Sequence, residues 1–260
     1  MLINVEKREY YIKKHERNDF CYLSFSLIVI NIINSFCPQV LLASETSKNE
    51  EEVRIVDKVI KEKDDYVDVD VIIPQISGIS NKSKEAQINK EIENWTLEWI
   101  KDIRLIAKEN FDTNVKPLGP YEANARYEVK STRNPLSFYI DYYQFTGGAH
   151  GITTRKYYNI DKRSGEILKL NNLFKEKYDY ASLINKQIQS EIDKNKDMYF
   201  TGKEGFQGIK DNQGFFIEGS NLVIFFAQYE IAPYAGGMPE FRIPLEIFKK
   251  GYVYDKINSK

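Results

Sequence analysis

The feature that most constrains the fold is a run of apolar residues at steps of three and four: Ile88, Ile92, Trp95, Trp99, Ile103 and Ile106. That spacing lines all six along one face of a helix of about seven turns at 3.6 residues each. Asn81 or Ser83 is placed to cap its start. A helix with one apolar face has to cover something, and the chain beyond it reads as β-structure. Pro117-Leu118-Gly119-Pro120 breaks the chain, and residues 122–131 then alternate through Ala123, Ala125, Tyr127 and Val129. Leu136–Phe145 and Ile152–Ile160 read as the next strands, and 161–165 as a turn into a short return over 166–168. The expectation is an antiparallel meander of three strands with the helix as its cover and both tryptophans in the core.

Ahead of the helix, residues 66–73 alternate through Val67, Val69 and Val71, a strand that Pro74 should close because proline cannot donate to a ladder. Asp64, Asp65, Asp68 and Asp70 lack the spacing and closing Glu of a calcium loop, and the alternation puts Asp68 and Asp70 on a solvated face. Beyond the meander, 170–174 reads as a short apolar hinge, and Tyr180, Leu183, Ile184, Ile188 and Ile192 form a second helical stripe. Residues 198–208 hold three glycines and read as a loop. A hairpin of 214–218 and 222–226 turns at Gly219-Ser220-Asn221, 232–239 is an extended loop, and 240–243 is a last short strand before 245–250. The fold class expected is α+β, in two units over 53–168 and 169–260, each a helix packed on a small antiparallel sheet.

The N-terminus has the layout of an export signal. Met1 to Asp19 carries Lys7, Arg8, Lys13, Lys14 and Arg17, and the chain then turns apolar up to Leu42. Residues 1–43 are therefore expected to be a signal peptide or an uncleaved membrane anchor, with Asn31, Asn34 and Pro38 interrupting the apolar run, and 44–52 a polar tether. Both cysteines, Cys21 and Cys37, fall in this leader, so the exported part is expected to fold without disulfides. Lys and Arg number 37 against 38 Asp and Glu, a balance without the basic excess of a nucleic-acid binder. The 42% hydrophobic content, with 18 Tyr and 15 Phe, is that of a packed domain.

Chemistry is concentrated in Tyr142-Tyr143-Gln144-Phe145-Thr146-Gly147-Gly148-Ala149-His150-Gly151, where an aromatic strand runs into a glycine turn holding the only histidine outside the leader. Gly147 and Gly148 can both take positive φ, as a tight two-residue hairpin requires. One reading is a plain hairpin tip in which His150 bonds the local backbone. The other is a loop stripped of side chains so that a partner reaches its backbone, with His150 and the tyrosines as contacts. A hydrolase would need a carboxylate pair from Glu128, Asp141, Glu218 and Glu230, but no Gly-x-Ser-x-Gly or His-rich metal motif accompanies them.

Together with Tyr229-Glu230-Ile231-Ala232-Pro233-Tyr234-Ala235-Gly236-Gly237-Met238-Pro239, the Thr-Gly-Gly-Ala-His-Gly turn resembles a bacterial extracytoplasmic family. The chain is similar to the exported region of RsiV-type, lysozyme-sensing anti-sigma factors, and 53–168 is similar to the N-terminal region of PdaC-type peptidoglycan deacetylases. The resemblance implies a Gram-positive, secreted or surface-held, non-catalytic binding protein of the cell envelope that recognises a lysozyme-like muramidase. A peptidoglycan- or glycan-binding module is the alternative. It implies no cofactor, no metal, no nucleic acid, and membrane contact only through an uncleaved N-terminus. Neither a sigma-binding domain nor a deacetylase catalytic domain is expected, since few residues precede the apolar run and His150 stands alone. The ligand-binding residues expected are Tyr142, Tyr143, Thr146, Gly147, Gly148, His150, Tyr234, Gly236 and Gly237.

Overall fold

A computed structural model describes residues 52–113 and 119–254. The expected leader, its cysteines and the tether up to residue 51 lie outside the described residues. The chain runs β1 (Arg54–Lys63), β2 (Val67–Ser77), α1 (Lys82–Asp112), β3 (Tyr121–Ser131), β4 (Leu136–Phe145), β5 (Ile152–Ile160), α2 (Tyr180–Lys194), β6 (Gly214–Glu218), β7 (Asn221–Phe225) and β8 (Glu240–Pro244). The first sheet has the order β1-β2-β3-β4-β5, and the second the order β6-β7-β8. The α+β class is as expected, but the first sheet has five strands, and β2 pairs β3 in parallel, with α1 as the crossover. No helix among the described residues is long and apolar enough to cross a membrane.

The additions have a local cause. In β1, Asp57 is buried at the position in step with Ile55, and its carboxylate accepts from Tyr127 OH at 2.6 Å. A buried carboxylate with a partner keeps the strand intact while breaking its apolar alternation. Pro74 does not close β2, which continues to Ser77 with Pro74 opposite Asp57. The parallel ladder to β3 ends at Val71, so β2 has only one neighbour at Pro74 and tolerates the missing donor.

Asn81 caps α1, its side chain accepting from the Lys84 amide. The buried face is Ile88, Ile92, Thr96, Trp99, Ile100, Ile103 and Ala107, whereas Ile106 is 42% exposed and leaves the expected stripe. After Ile103 the buried line continues at Ala107, four residues on, which leaves Ile106 to one side of it. Thr96 Oγ1 donates to the Ile92 carbonyl, so Tyr142 OH must be the donor in their 2.8 Å hydrogen bond. Trp95 and Trp99 lie edge-on to the Tyr142 ring, at 4.3 and 5.0 Å between centroids. Burial pushes the Tyr142 hydroxyl up to about 12.

β4 is covered on both faces. Phe138, Ile140 and Tyr142 join the core under α1, while Tyr139 packs with Phe216, Val223 and Phe225 of the second sheet. The other face of the second sheet, with Phe215, Ile217, Leu222, Ile224, Phe241 and Ile243, packs with Ile184, Ile188 and Ile192 of α2. Four layers result, helix, sheet, sheet and helix, in which each sheet shields the apolar face of the other.

The two sheets are held by a buried polar joint. Ser137 and Asn159, cross-strand partners in β4 and β5, are both 0% exposed. Ser137 Oγ donates to Asn159 Oδ1 at 2.7 Å, Asn159 Nδ2 donates to the Phe215 carbonyl at 2.8 Å, and the Ile217 amide donates to Ser137 Oγ at 3.2 Å. Two side chains of the first sheet thus satisfy backbone groups of β6. Asn159→Ala should cost about 2–4 kcal/mol, because the Phe215 carbonyl then loses its partner in the interior. A urea midpoint unchanged from wild type would show that the joint carries no such load.

Candidate functional site

Beyond the joint, the same column of β4–β5 pairs leads outward through Tyr139–Tyr157 and Asp141–Arg155 to Tyr143–Thr153. Arg155 donates from Nε and Nη2 to both Asp141 oxygens, at 2.7 and 2.8 Å, and from Nη1 to Glu240 of β8 at 2.6 Å. Its guanidinium lies 3.6 Å from the Tyr139 ring centroid. At the outer end Gln228 Oε1, from the loop after β7, accepts from the Thr153 amide at 2.7 Å. That bond ties the second half of the chain to the rim of β5.

The β4–β5 connection is a six-residue loop, 146–151, between the last residue of β4, Phe145, and the first of β5, Ile152. The two-residue turn expected there is absent. Gly147 has φ +87°, and Gly148 has no positive φ. The glycine that packing demands is Gly151, where a Cβ would clash with the edge of the Tyr143 ring at 2.4 Å. Burial, with the Glu122 and Tyr234 charges, pushes the Tyr143 hydroxyl up against the opposing pull of the Gly151 backbone.

The second loop is bent by Glu230, whose carboxylate accepts from the Ala227 amide at 2.9 Å and from Lys210 Nζ at 2.6 Å. Within that bend Tyr229 holds φ +65°, a left-handed conformation unusual for a bulky side chain. Residues Tyr234–Gly236 form a 3₁₀ turn, after which Gly237 takes φ +62°. A Cβ on Gly236 would press on Ala232 at 3.0 Å.

The two loops meet at His150. Its ring stacks on Tyr234 at 3.9 Å between centroids and 21° between planes. Nδ1 lies 3.0 Å from the Gly151 carbonyl, which can only accept, so Nδ1 carries the proton. In the neutral ring Nε2 is then the acceptor for Tyr229 OH at 3.0 Å. His150 is exposed and Tyr229 is 46% exposed, so the cluster faces solvent.

Of the expected site residues, the structure brings His150 and Tyr234 into contact and puts Tyr143, Thr146, Gly147 and Gly148 in or beside the first loop, with Gly236 and Gly237 shaping the second. Tyr142 is 1% exposed beneath α1 and presents nothing to solvent. Tyr229 was not among them, although it opens the second motif. Nothing local in the sequence distinguishes Gln228.

The four carboxylates considered for hydrolysis are all engaged in ion pairs. Glu128 and Glu218 share Lys130, Asp141 is clamped by Arg155, and Glu230 by Lys210. Burial raises Glu128 and Glu218, but the Lys130 hydrogen bond with neighbouring positive charge outweighs it and holds both below the usual carboxylate range. A glycosidase acid needs its pKa raised. Among the described residues no group of three or more His, Cys, Asp or Glu is placed to hold a metal ion.

These features define a composite surface built from two loops far apart in sequence. Residues 60–153 match the family described as Deacetylase PdaC, and 171–246 match Protein of unknown function (DUF3298), so the chain carries a PdaC-type region followed by a DUF3298 region. It is 33% identical over 196 residues to the anti-sigma-V factor RsiV of Bacillus subtilis, covering 71% of this chain and 65% of that protein. It is 29% identical over 172 residues to the peptidoglycan-N-acetylmuramic acid deacetylase PdaC of the same organism, covering 62% of this chain and 36% of that one. The chain therefore spans just under two thirds of the first relative and about a third of the second. A DUF3298 crystal structure from Bacteroides fragilis shares the fold with a TM-score of 0.59 at 19% identity, over 79% of this chain and 96% of that one. One from Pseudomonas aeruginosa gives 0.50 at 17%, over 78% and 94%.

The loop geometry separates the glycines. Gly147→Ala should destabilise by about 1–2 kcal/mol, the cost of an L-residue in the left-handed region. Gly148→Ala, whose Cβ would meet nothing nearer than the His150 carbonyl at 4.0 Å, should stay within about 0.5 kcal/mol of wild type. Equal thermal shifts for the two variants would contradict this geometry.

Proposed function

We propose that the chain is a non-catalytic, extracytoplasmic binding protein of the bacterial envelope whose partner is a lysozyme-like muramidase, bound through the composite surface of residues 146–151 and 228–237. The observation that carries this reading is the meeting of both motifs at one exposed aromatic cluster, His150 stacked on Tyr234 and hydrogen-bonded to Tyr229. Rigid aromatic groups presented by anchored loops supply contact area at low entropic cost. Similarity to an anti-sigma factor supports a protein partner, and the pinned carboxylates support a role without catalysis.

The reading predicts that His150→Ala and Tyr234→Ala each weaken muramidase binding at least tenfold, about 1.4 kcal/mol, with the melting midpoint unchanged. The measurement is a titration of each variant beside its thermal unfolding. Affinity retained by folded variants of both residues would refute this surface as the contact. Pull-down on insoluble peptidoglycan in place of muramidase would favour a glycan-binding role instead.

A further inference from the structure

Three non-glycine residues among the described ones hold a positive φ: Tyr229 of the two-loop surface, and Lys177 and Lys249 outside it. Lys177, at φ +62°, is the third residue of a turn closed by the Tyr178 amide on the Lys175 carbonyl at 3.1 Å. Lys249 has φ +46° and ψ −124°, close to the first central position of a type II′ turn, and breaks the 3₁₀ segment Leu245–Gly251. Glycine takes either conformation without strain, whereas a residue with a Cβ does not. We infer that the two turns carry these lysines for their charge and form a binding site for a linear, phosphate-bearing polymer, separate from the two-loop surface and independent of what that surface binds.

The two turns are packed on one another. The Lys175 amide donates to the Gly251 carbonyl at 2.9 Å, Tyr178 OH donates to the Phe248 carbonyl at 3.0 Å, and a Cβ on Gly251 would strike the Tyr178 ring. Lys175 and Lys177 of one turn are thereby brought beside Lys249 and Lys250 of the other. All four are exposed, and none has a partner for its side chain among the described residues. Three carboxylates share these segments. Asp179 is engaged as the cap of α2, accepting from the Ser182 amide at 3.1 Å, and neither Glu176 nor Glu246 is paired with a lysine among the described residues. Four ammonium groups without a neutralising contact repel one another, and an anion lying across both turns relieves that repulsion. All four cations are lysines. An ammonium on a flexible stem is a point charge without the fixed fork of arginine, which suits phosphates repeated along a flexible chain better than one phosphate held in a set geometry. A lipid surface also offers phosphates, but it rewards apolar insertion. None of the exposed large apolar side chains among the described residues lies within 174–180 or 245–254, so the patch fits a polymer in water.

The test titrates the full-length chain with poly(glycerol phosphate) and follows binding by calorimetry beside thermal unfolding. Saturable binding that weakens as salt is raised is expected. Lys177→Gly with Lys249→Gly should weaken it at least tenfold while the melting midpoint stays at or above that of wild type, because glycine relieves both strained positions. Lys175→Gln with Lys250→Gln, which alters neither strained residue, should weaken binding with the midpoint unchanged. Lys90→Gln with Lys186→Gln, two exposed lysines outside the turns, should bind as wild type. Muramidase affinity should be unaltered in all three double variants, and polymer binding unaltered in Tyr234→Ala, so that failure of either site is read separately. Absence of saturable polymer binding by the wild-type chain overturns the inference. So does full affinity in both double variants of the turns, or an equal loss in the Lys90 and Lys186 pair. Binding of phosphatidylglycerol vesicles that depends on the turn lysines, without binding of the polymer, assigns the patch to a lipid surface and overturns it as well.

Discussion

Burying a hydroxyl and a carboxamide between two sheets is unfavourable unless their polar atoms find partners, and Ser137 and Asn159 meet that condition through each other and through backbone groups of β6. A displaced docking of β6 would leave the Phe215 carbonyl and the Ile217 amide unpaired in an apolar interior. The apolar contacts of Tyr139, Phe216, Val223 and Phe225 supply attraction without direction. The polar joint supplies the direction. Arg155, bonded to Asp141 on its own sheet and to Glu240 on the other, repeats the constraint nearer the surface. With the sheets aligned at two depths, the loops beyond them have little freedom in where they meet.

Most of the strands are legible in the sequence because half-buried strands alternate. β4 and β5 can be bounded to the residue. β1 is opaque because a carboxylate, Asp57, holds an inward position, and its acceptability depends on Tyr127, 70 residues away. The parallel ladder is hidden for a similar reason: it arises from where α1 delivers the chain, not from any local pattern. Ile106 shows the reverse error, an apolar residue at helical spacing that lies off the contact line.

For the candidate site, both motifs are visible in the sequence and their meeting is not. His150 and Tyr229 are 79 positions apart, and no periodicity spans that interval. The glycine turn departs from expectation because Gly-Gly permits a tight hairpin but does not require one. The register of β4 with β5, which leaves six residues between them, decides the matter. Tyr142 and Tyr143 are neighbours with opposite fates, one under α1 and one at the surface, as strand alternation demands once both faces are known to be covered.

The surface at His150 is owned by neither half alone. One loop is carried by the five-stranded sheet and the other by the three-stranded sheet, so a molecule that grips both also grips the joint between them. Its binding energy is thereby linked to the docking equilibrium. Partial unfolding of either half erases the surface, and occupancy of the surface opposes partial unfolding. For any ligand that grips both loops, occupancy and structural integrity then become a single variable.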